Sequence, residues 1–134
     1  MRVMIDTNIF ISAVLFPNGK TYSALKKALV SPYQPVTCDH VIDELHRKFA
    51  EKFPERITEL DAFLDVALSV IDIVKTPDVI VKAEGLIRDK KDRPILRAAL
   101  DTGADLFLTG DKDFLESSVT DPRIISVSQF LEMQ

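Results

Sequence analysis

Arg2-Val3-Met4-Ile5-Asp6-Thr7-Asn8 is the stretch whose reading decides the fold. Val3 to Ile5 are consecutive apolar residues with no alternation, which fits a strand covered on both faces, as in a parallel sheet. The strand stops on Asp6. In open α/β sheets the site lies in the crevice outside the carboxyl ends of the strands, so Asp6, Thr7 and Asn8 are placed where chemistry is done. All three are also good helix N-caps, and Asp6 taken alone reads first as the cap of a helix beginning near Ile9.

Working outward, the chain alternates strand and helix. Phe10 to Phe16 continues apolar as a short helix until Pro17-Asn18-Gly19 breaks it. Thr21 to Val30 predicts a second helix, ended by Ser31-Pro32, and Gln34 to Cys38 a second strand. Thr37 or Asp39 then caps a helix carrying Ile42, Leu45 and Phe49 at helical spacing, with Glu44 on it. After Phe53-Pro54 an apolar stripe from Ile57 to Ile71 predicts the longest helix. Asp72 to Lys75 is a third strand and Val79 to Ile87 a helix leading into a charged loop, Arg88 to Arg93. Pro94 suits the first turn of a helix that stops at Gly103 in the C′ position, which puts Asp92 at that helix's N-terminus. Asp105 to Thr109 and Arg123 to Val127 are the last strands, before a short closing helix. Strict β, α alternation predicts a doubly wound, three-layer α/β/α fold around a parallel sheet of about five strands.

Composition sets the class. With 134 residues and 46% apolar content, one globular domain over residues 1–134 is expected. No run of eighteen apolar residues occurs and the N-terminus does not read as a signal peptide, so a cytoplasmic protein without membrane spans is expected. Cys38 is the only cysteine, which excludes an internal disulfide and argues against structural zinc. A net charge of -4 argues against a protein that holds nucleic acid by bulk electrostatics, while leaving room for local basic patches.

Two strands end alike on carboxylates, Ile5-Asp6 and Leu108-Thr109-Gly110-Asp111, and parallel strands put both at one edge. Glu44 and Asp92 can reach the same edge. Four converging acids require a cation. Oxygen ligands without His or Cys select Mg²⁺ or Mn²⁺. Such a centre suits in-line hydrolysis of a phosphodiester.

At these residues the chain resembles the PIN domain family of metal-dependent nucleases, best known as ribonuclease toxins of bacterial toxin-antitoxin pairs. The resemblance rests on Ile5-Asp-Thr-Asn-Ile-Phe10, Asp43-Glu44-Leu45, Asp92-Arg-Pro-Ile-Leu-Arg-Ala-Ala-Leu100 and Leu108-Thr-Gly-Asp-Lys-Asp-Phe114. It implies that Asp6, Glu44, Asp92 and Asp111 form the acidic metal site, with Asp113 a frequent fifth member. Asn8 and Thr109 would hold the carboxylates in place through hydrogen bonds. Hydrolysis of single-stranded RNA, an inhibiting antitoxin protein and dimerisation are implied by the same resemblance.

Each residue has a plainer alternative. Asp92 could be a dipole partner with Asp89 the ligand, although the spacing to Pro94 and Ile95 favours Asp92. Asp113 could be a cap. His40 and His46, six apart, do not share a helical face and are expected in structural roles. Lys26, Lys27, Arg47, Lys48, Lys52 and the cluster from Arg88 to Arg97 would be solvated surface, unless some border the cleft and grip RNA. Asp6-Thr-Asn8 with Gly110-Asp-Lys-Asp113 also resembles, faintly, haloacid-dehalogenase-like phosphatases with Asp6 as nucleophile. There Asn8 replaces the expected general acid, and the chain is short for that fold and its cap. A non-catalytic RNA- or protein-binding module would be expected to have lost acids, and all four are present.

Overall fold

The computed structural model describes residues 1–133. Five strands form one parallel sheet in the order β3-β2-β1-β4-β5: β1 Arg2–Ile5, β2 Gln34–Cys38, β3 Asp72–Val74, β4 Leu106–Leu108 and β5 Arg123–Ile125. The doubly wound expectation holds. Val3, Met4 and Ile5 are fully buried, as their unbroken apolar run requires, and β1 lies at the centre of the sheet. Burying each such side chain contributes about 1.5–3 kcal/mol.

The helices are α1 Thr7–Leu15, α2 Lys20–Ala28, α3 Asp39–Lys52, α4 Ile57–Ala67, α5 Arg93–Asp101, α6 Lys112–Leu115 and α7 Val127–Glu132. Connections run outward from β1 to β2 to β3, then return across the sheet to β4 and β5. With right-handed crossovers, α1 to α4 cover one face while α5 and α6 cover the other. Phe10 of α1 meets Phe63 of α4 edge to face at 6.5 Å, and Phe107 of β4 stacks on Phe114 of α6 at 4.5 Å. The winding of successive strands reverses between β1 and β4, so the topological switch point lies between the strand that ends on Asp6 and the strand that leads to Asp111.

Four expectations need correction. The longest helix is α3, not the stripe from Ile57, because α4 stops at Ala67 and the chain turns through Leu68 to Val70, leaving Val66 and Val70 exposed. Val79 to Ile87 is not an α-helix. Val79 and Ile80 are exposed, and only Lys82–Leu86 winds, as a 3-10 helix. The first helix begins at Thr7 rather than near Ile9. Neither Thr37 nor Asp39 caps α3: Cys38 is the N-cap without a side-chain bond, and Asp39 instead accepts from Thr76 N, at 2.8 Å, and from the Thr76 hydroxyl. Gly103, with φ +70°, ends α5 in the C′ position as expected.

Candidate active site

Asp6 leaves β1 and its side chain turns back to the helix it precedes. Oδ1 accepts from Thr7 N at 2.8 Å, and Oδ2 accepts from the Thr109 hydroxyl at 2.7 Å. The Thr109 oxygen in turn accepts from Asp111 N at 3.0 Å, so one buried hydroxyl links the ends of β1 and β4. Asp111 caps α6, accepting from Asp113 N at 2.9 Å. Asn8 plays a different part from the one expected. Its Oδ1 accepts from Gly110 N at 3.1 Å, bracing the turn that leads to Asp111 rather than a carboxylate.

Glu44 is buried on α3 and Asp92 stands half-buried at the N-cap of α5, with no capping hydrogen bond of its own. Asp6, Glu44, Asp92 and Asp111 line one cleft of about 380 Å³, together with Thr7, Asn8 and Asp89. Burial pushes the Asp6 carboxyl up to about 6 against the hydrogen bonds from Thr109 and Thr7, and the charges of Glu44 and Asp111 push the same way. Burial, then the charges of Asp6, Asp89, Asp111 and Glu44, carries Asp92 to about 7. Asp6 and Asp92 therefore each feel the charges of Glu44 and Asp111.

Asp113 belongs to a neighbouring cluster. Asp89, Asp92 and Asp113 each bring a carboxylate oxygen within 4.8 Å of the others, so Asp92 is common to the cluster and the cleft. Asp89 and Asp92 are thus both at the cleft, where the sequence set them as alternatives. Arg88 holds Asp113 Oδ1 at 2.9 Å and Glu116 at 3.2 Å. The cap of α6 is Asp111, not Asp113.

The donors fit a hard divalent ion. They are carboxylate oxygens, and among the described residues no His or Cys lines the cleft. Thr7 Oγ1, at the same cleft, is buried without a hydrogen-bond partner. An orphaned hydroxyl beside coupled carboxylates suits an ion that keeps its waters.

The PIN domain profile matches residues 2–113. The chain belongs to the PIN domain family. Members of this family are nucleases that generally use divalent metal ions, and a cluster of acidic residues is present in this chain. A PIN chain is similar in sequence to an uncharacterized protein of Methanocaldococcus jannaschii, 26% identical over 118 residues covering 86% of this chain and 74% of the archaeal protein. It shares its fold with a chain in the crystal structure of VapBC2 from Rickettsia felis bound to a DNA fragment from their promoter. There the TM-score is 0.71 with 18% identity, covering 94% of this chain and 98% of that chain.

The remaining candidates have structural places in this PIN domain. His40 Nε2 donates to the Lys91 carbonyl at 3.0 Å, and His46 Nδ1 lies 3.0 Å from the Ile42 carbonyl. No helix among the described residues is long and apolar enough to cross a membrane.

The sequence reading missed what fastens Asp89 and Asp92. Arg97 of α5 grips buried Glu84 with two hydrogen bonds of 2.7 and 2.8 Å and donates to the Pro77 carbonyl at 2.7 Å. Arg93 donates to the Ile87 carbonyl at 2.8 Å. The irregular segment from Lys75 to Asp92 is thereby tied to α5. Thirteen residues separate Glu84 from Arg97, so no local spacing rule could have paired them.

Proposed function

We propose that this chain, taken as one nuclease domain over residues 1–134, is a Mg²⁺- or Mn²⁺-dependent endoribonuclease that hydrolyses phosphodiester bonds of single-stranded RNA. The observation that carries this reading is the convergence of Asp6, Glu44, Asp92 and Asp111 on one cleft at the switch point of the sheet. Asp6, Glu44, Asp92 and Asp111 are the groups we assign to hold the ion, with Asp113 or Asp89 completing its outer side. When bound, a divalent ion supplies a water of lowered pKa and positive charge for the scissile phosphate.

The chain's own residues do the positioning. Thr109 and the Thr7 amide fix both oxygens of Asp6, so the carboxylate has one orientation without reorganisation. Asn8 and Thr109 set the turn that aims Asp111. Asp6, raised to about 6, and Asp92, raised to about 7, would have to give up their protons to ligate a cation, which makes loading favour higher pH. Asn8, at the position where the phosphatase alternative needs its general acid, is an amide spent on the Gly110 backbone N–H.

The biological role we assign is that of the toxin in a toxin-antitoxin pair, acting in the cytoplasm. The fold it shares with a chain of the VapBC2 structure supports that role. The inhibiting partner would place an Arg against the paired carboxylates, since a guanidinium satisfies them bidentately. The test is cleavage of single-stranded RNA by the purified protein with Mg²⁺ or Mn²⁺, and loss of cleavage with EDTA. Cleavage that survives EDTA would refute the reading.

A further inference from the structure

The structure sorts the basic residues into those already engaged and those facing the cleft. Lys27 donates to the carbonyls of Phe130 and Met133, and Lys26 lies over the Tyr22 ring, both away from the acids. Arg97 and Arg88 are held by Glu84 and by Asp113 with Glu116. Four cations line the same cleft as the acids: Arg47, Lys48 and Lys52 of α3, and Lys91 from the loop before α5.

We propose that Arg47, Lys48 and Lys52, with Lys91 in the same cleft, form a track for the phosphates of single-stranded RNA, holding the strand on the α3 side of the acidic centre. This rests on the ribonuclease reading above and adds where the substrate lies. Arg47 Nη2 and Lys48 Nζ stand 3.8 and 4.0 Å from Glu44, too far for hydrogen bonds, so their donors remain available to a phosphate. From Arg47 to Lys52 the helix rises about 7.5 Å at ~1.5 Å per residue, the order of one phosphate step in an extended strand. Arg47 and Lys48 take the phosphate beside the scissile one, and Lys52 the next. Glu51 lies on the same wall and opposes the track by its charge. The backbone of Lys91 is fixed, because His40 of α3 donates to the Lys91 carbonyl and the Lys91 amide donates to Asp89 Oδ1.

The test is fluorescence anisotropy of a labelled single-stranded RNA across a range of NaCl with Mg²⁺, in an Asp111→Asn background so that the strand stays intact. Replacing Arg47, Lys48 and Lys52 together by Ala should weaken binding about 10- to 100-fold and lower the slope of log affinity against log salt by about 1.4, at ~0.7 for each of the two phosphates released. Lys52→Ala, which touches no acid of the centre, should lower the slope by about 0.7. Glu51→Gln should tighten binding about 2- to 5-fold, a gain that misfolding cannot produce. Lys26→Ala should change nothing. Unchanged affinity and slope in the α3 variants of a protein whose wild type cleaves RNA overturns the track alone. A wild type that neither cleaves nor binds RNA overturns the ribonuclease reading with it.

Discussion

Two groups of buried carboxylates in this PIN domain behave oppositely. Glu84 and the cleft acids Asp6 and Glu44 are all buried. Glu84 meets Arg97 in a two-point grip, and that hydrogen bonding holds its carboxyl below the usual range in spite of burial. Asp6 has only neutral donors, Thr109 and the Thr7 amide, and burial with the neighbouring acids drives it upward. The difference is the countercharge. Where the chain supplies one within hydrogen-bond reach, the acid is part of the scaffold. Where the nearest cations stand 3.8 and 4.0 Å off and serve only Glu44, the cleft keeps more carboxylates than countercharges.

The pH dependence separates the two groups. Glu84, with a lowered carboxyl, contributes stability that is present above the ordinary carboxylate value and lost only as pH falls through its folded value. The cleft works the other way. Asp6 and Asp92 rise from 3.8 to about 6 and about 7, so the folded protein binds more protons than the unfolded chain between those values. Stability of the metal-free protein therefore falls as pH rises from about 4 to about 7. Asp6 accounts for on the order of 2 kcal/mol of this. Asp92 is half-buried and screened, and adds less.

Mutations break the comparison in order of size. Asp111→Asn or Asp6→Asn should lower RNA cleavage with Mg²⁺ or Mn²⁺ by on the order of 10³-fold, about 4 kcal/mol of barrier, in a single-turnover assay. Retained cleavage in both would take the acids out of the chemistry. Arg97→Ala, which leaves Glu84 without its partner just beneath the surface, should destabilise the fold by about 2 kcal/mol in urea unfolding. It should also weaken Mn²⁺ binding, because the segment bearing Asp89 and Asp92 loses its anchor to α5. Asp6→Asn should do the reverse to stability, raising that of the metal-free protein at neutral pH by about 1 kcal/mol. The gain is smaller than the relieved charge because an amide has one accepting oxygen where the carboxylate has two, so it cannot accept from both Thr7 N and the Thr109 hydroxyl. Asp61→Asn, on the exposed face of α4 and 3.7 Å from His46, should change stability by less than about 0.5 kcal/mol.

Elements with a strong local pattern were legible in the sequence, and so was the meeting of the candidate acids in one cleft. The unbroken Val3-Met4-Ile5 run could only suit a strand buried on both faces, and the pairing of β1 with β4 brings the ends that carry Asp6 and Asp111 together. Pro94 and Gly103 bracket α5 as their backbone preferences demand. What escaped depends on contacts distant in sequence. Val79 to Ile87 has helical spacing, yet Val79 and Ile80 face solvent and Glu84 turns inward to Arg97. Asp39 suits a helix cap by type, but Thr76 from the end of β3 takes its carboxylate. Asn8 belongs to the expected constellation, yet serves a backbone amide across the switch point. Local propensity cannot foresee which partner tertiary packing brings.

The measurement that bears most directly on the missing countercharge is the melting temperature of wild type and Asp6→Asn, with and without Mn²⁺, near pH 5 and near pH 7.5. Without Mn²⁺, wild type should melt lower at the higher pH, and Asp6→Asn should lose much of that fall. Mn²⁺ should raise the wild-type melting temperature chiefly at the higher pH, where Asp6 and Asp92 are ionised, and raise that of Asp6→Asn far less, because a bound ion stabilises only as far as its affinity allows. A wild type indifferent to Mn²⁺ at both pH values, or an Asp6→Asn protein that is less stable without metal yet protected by Mn²⁺ as fully as wild type, would contradict the account. The latter outcome would leave Asp6 as a helix cap and nothing more.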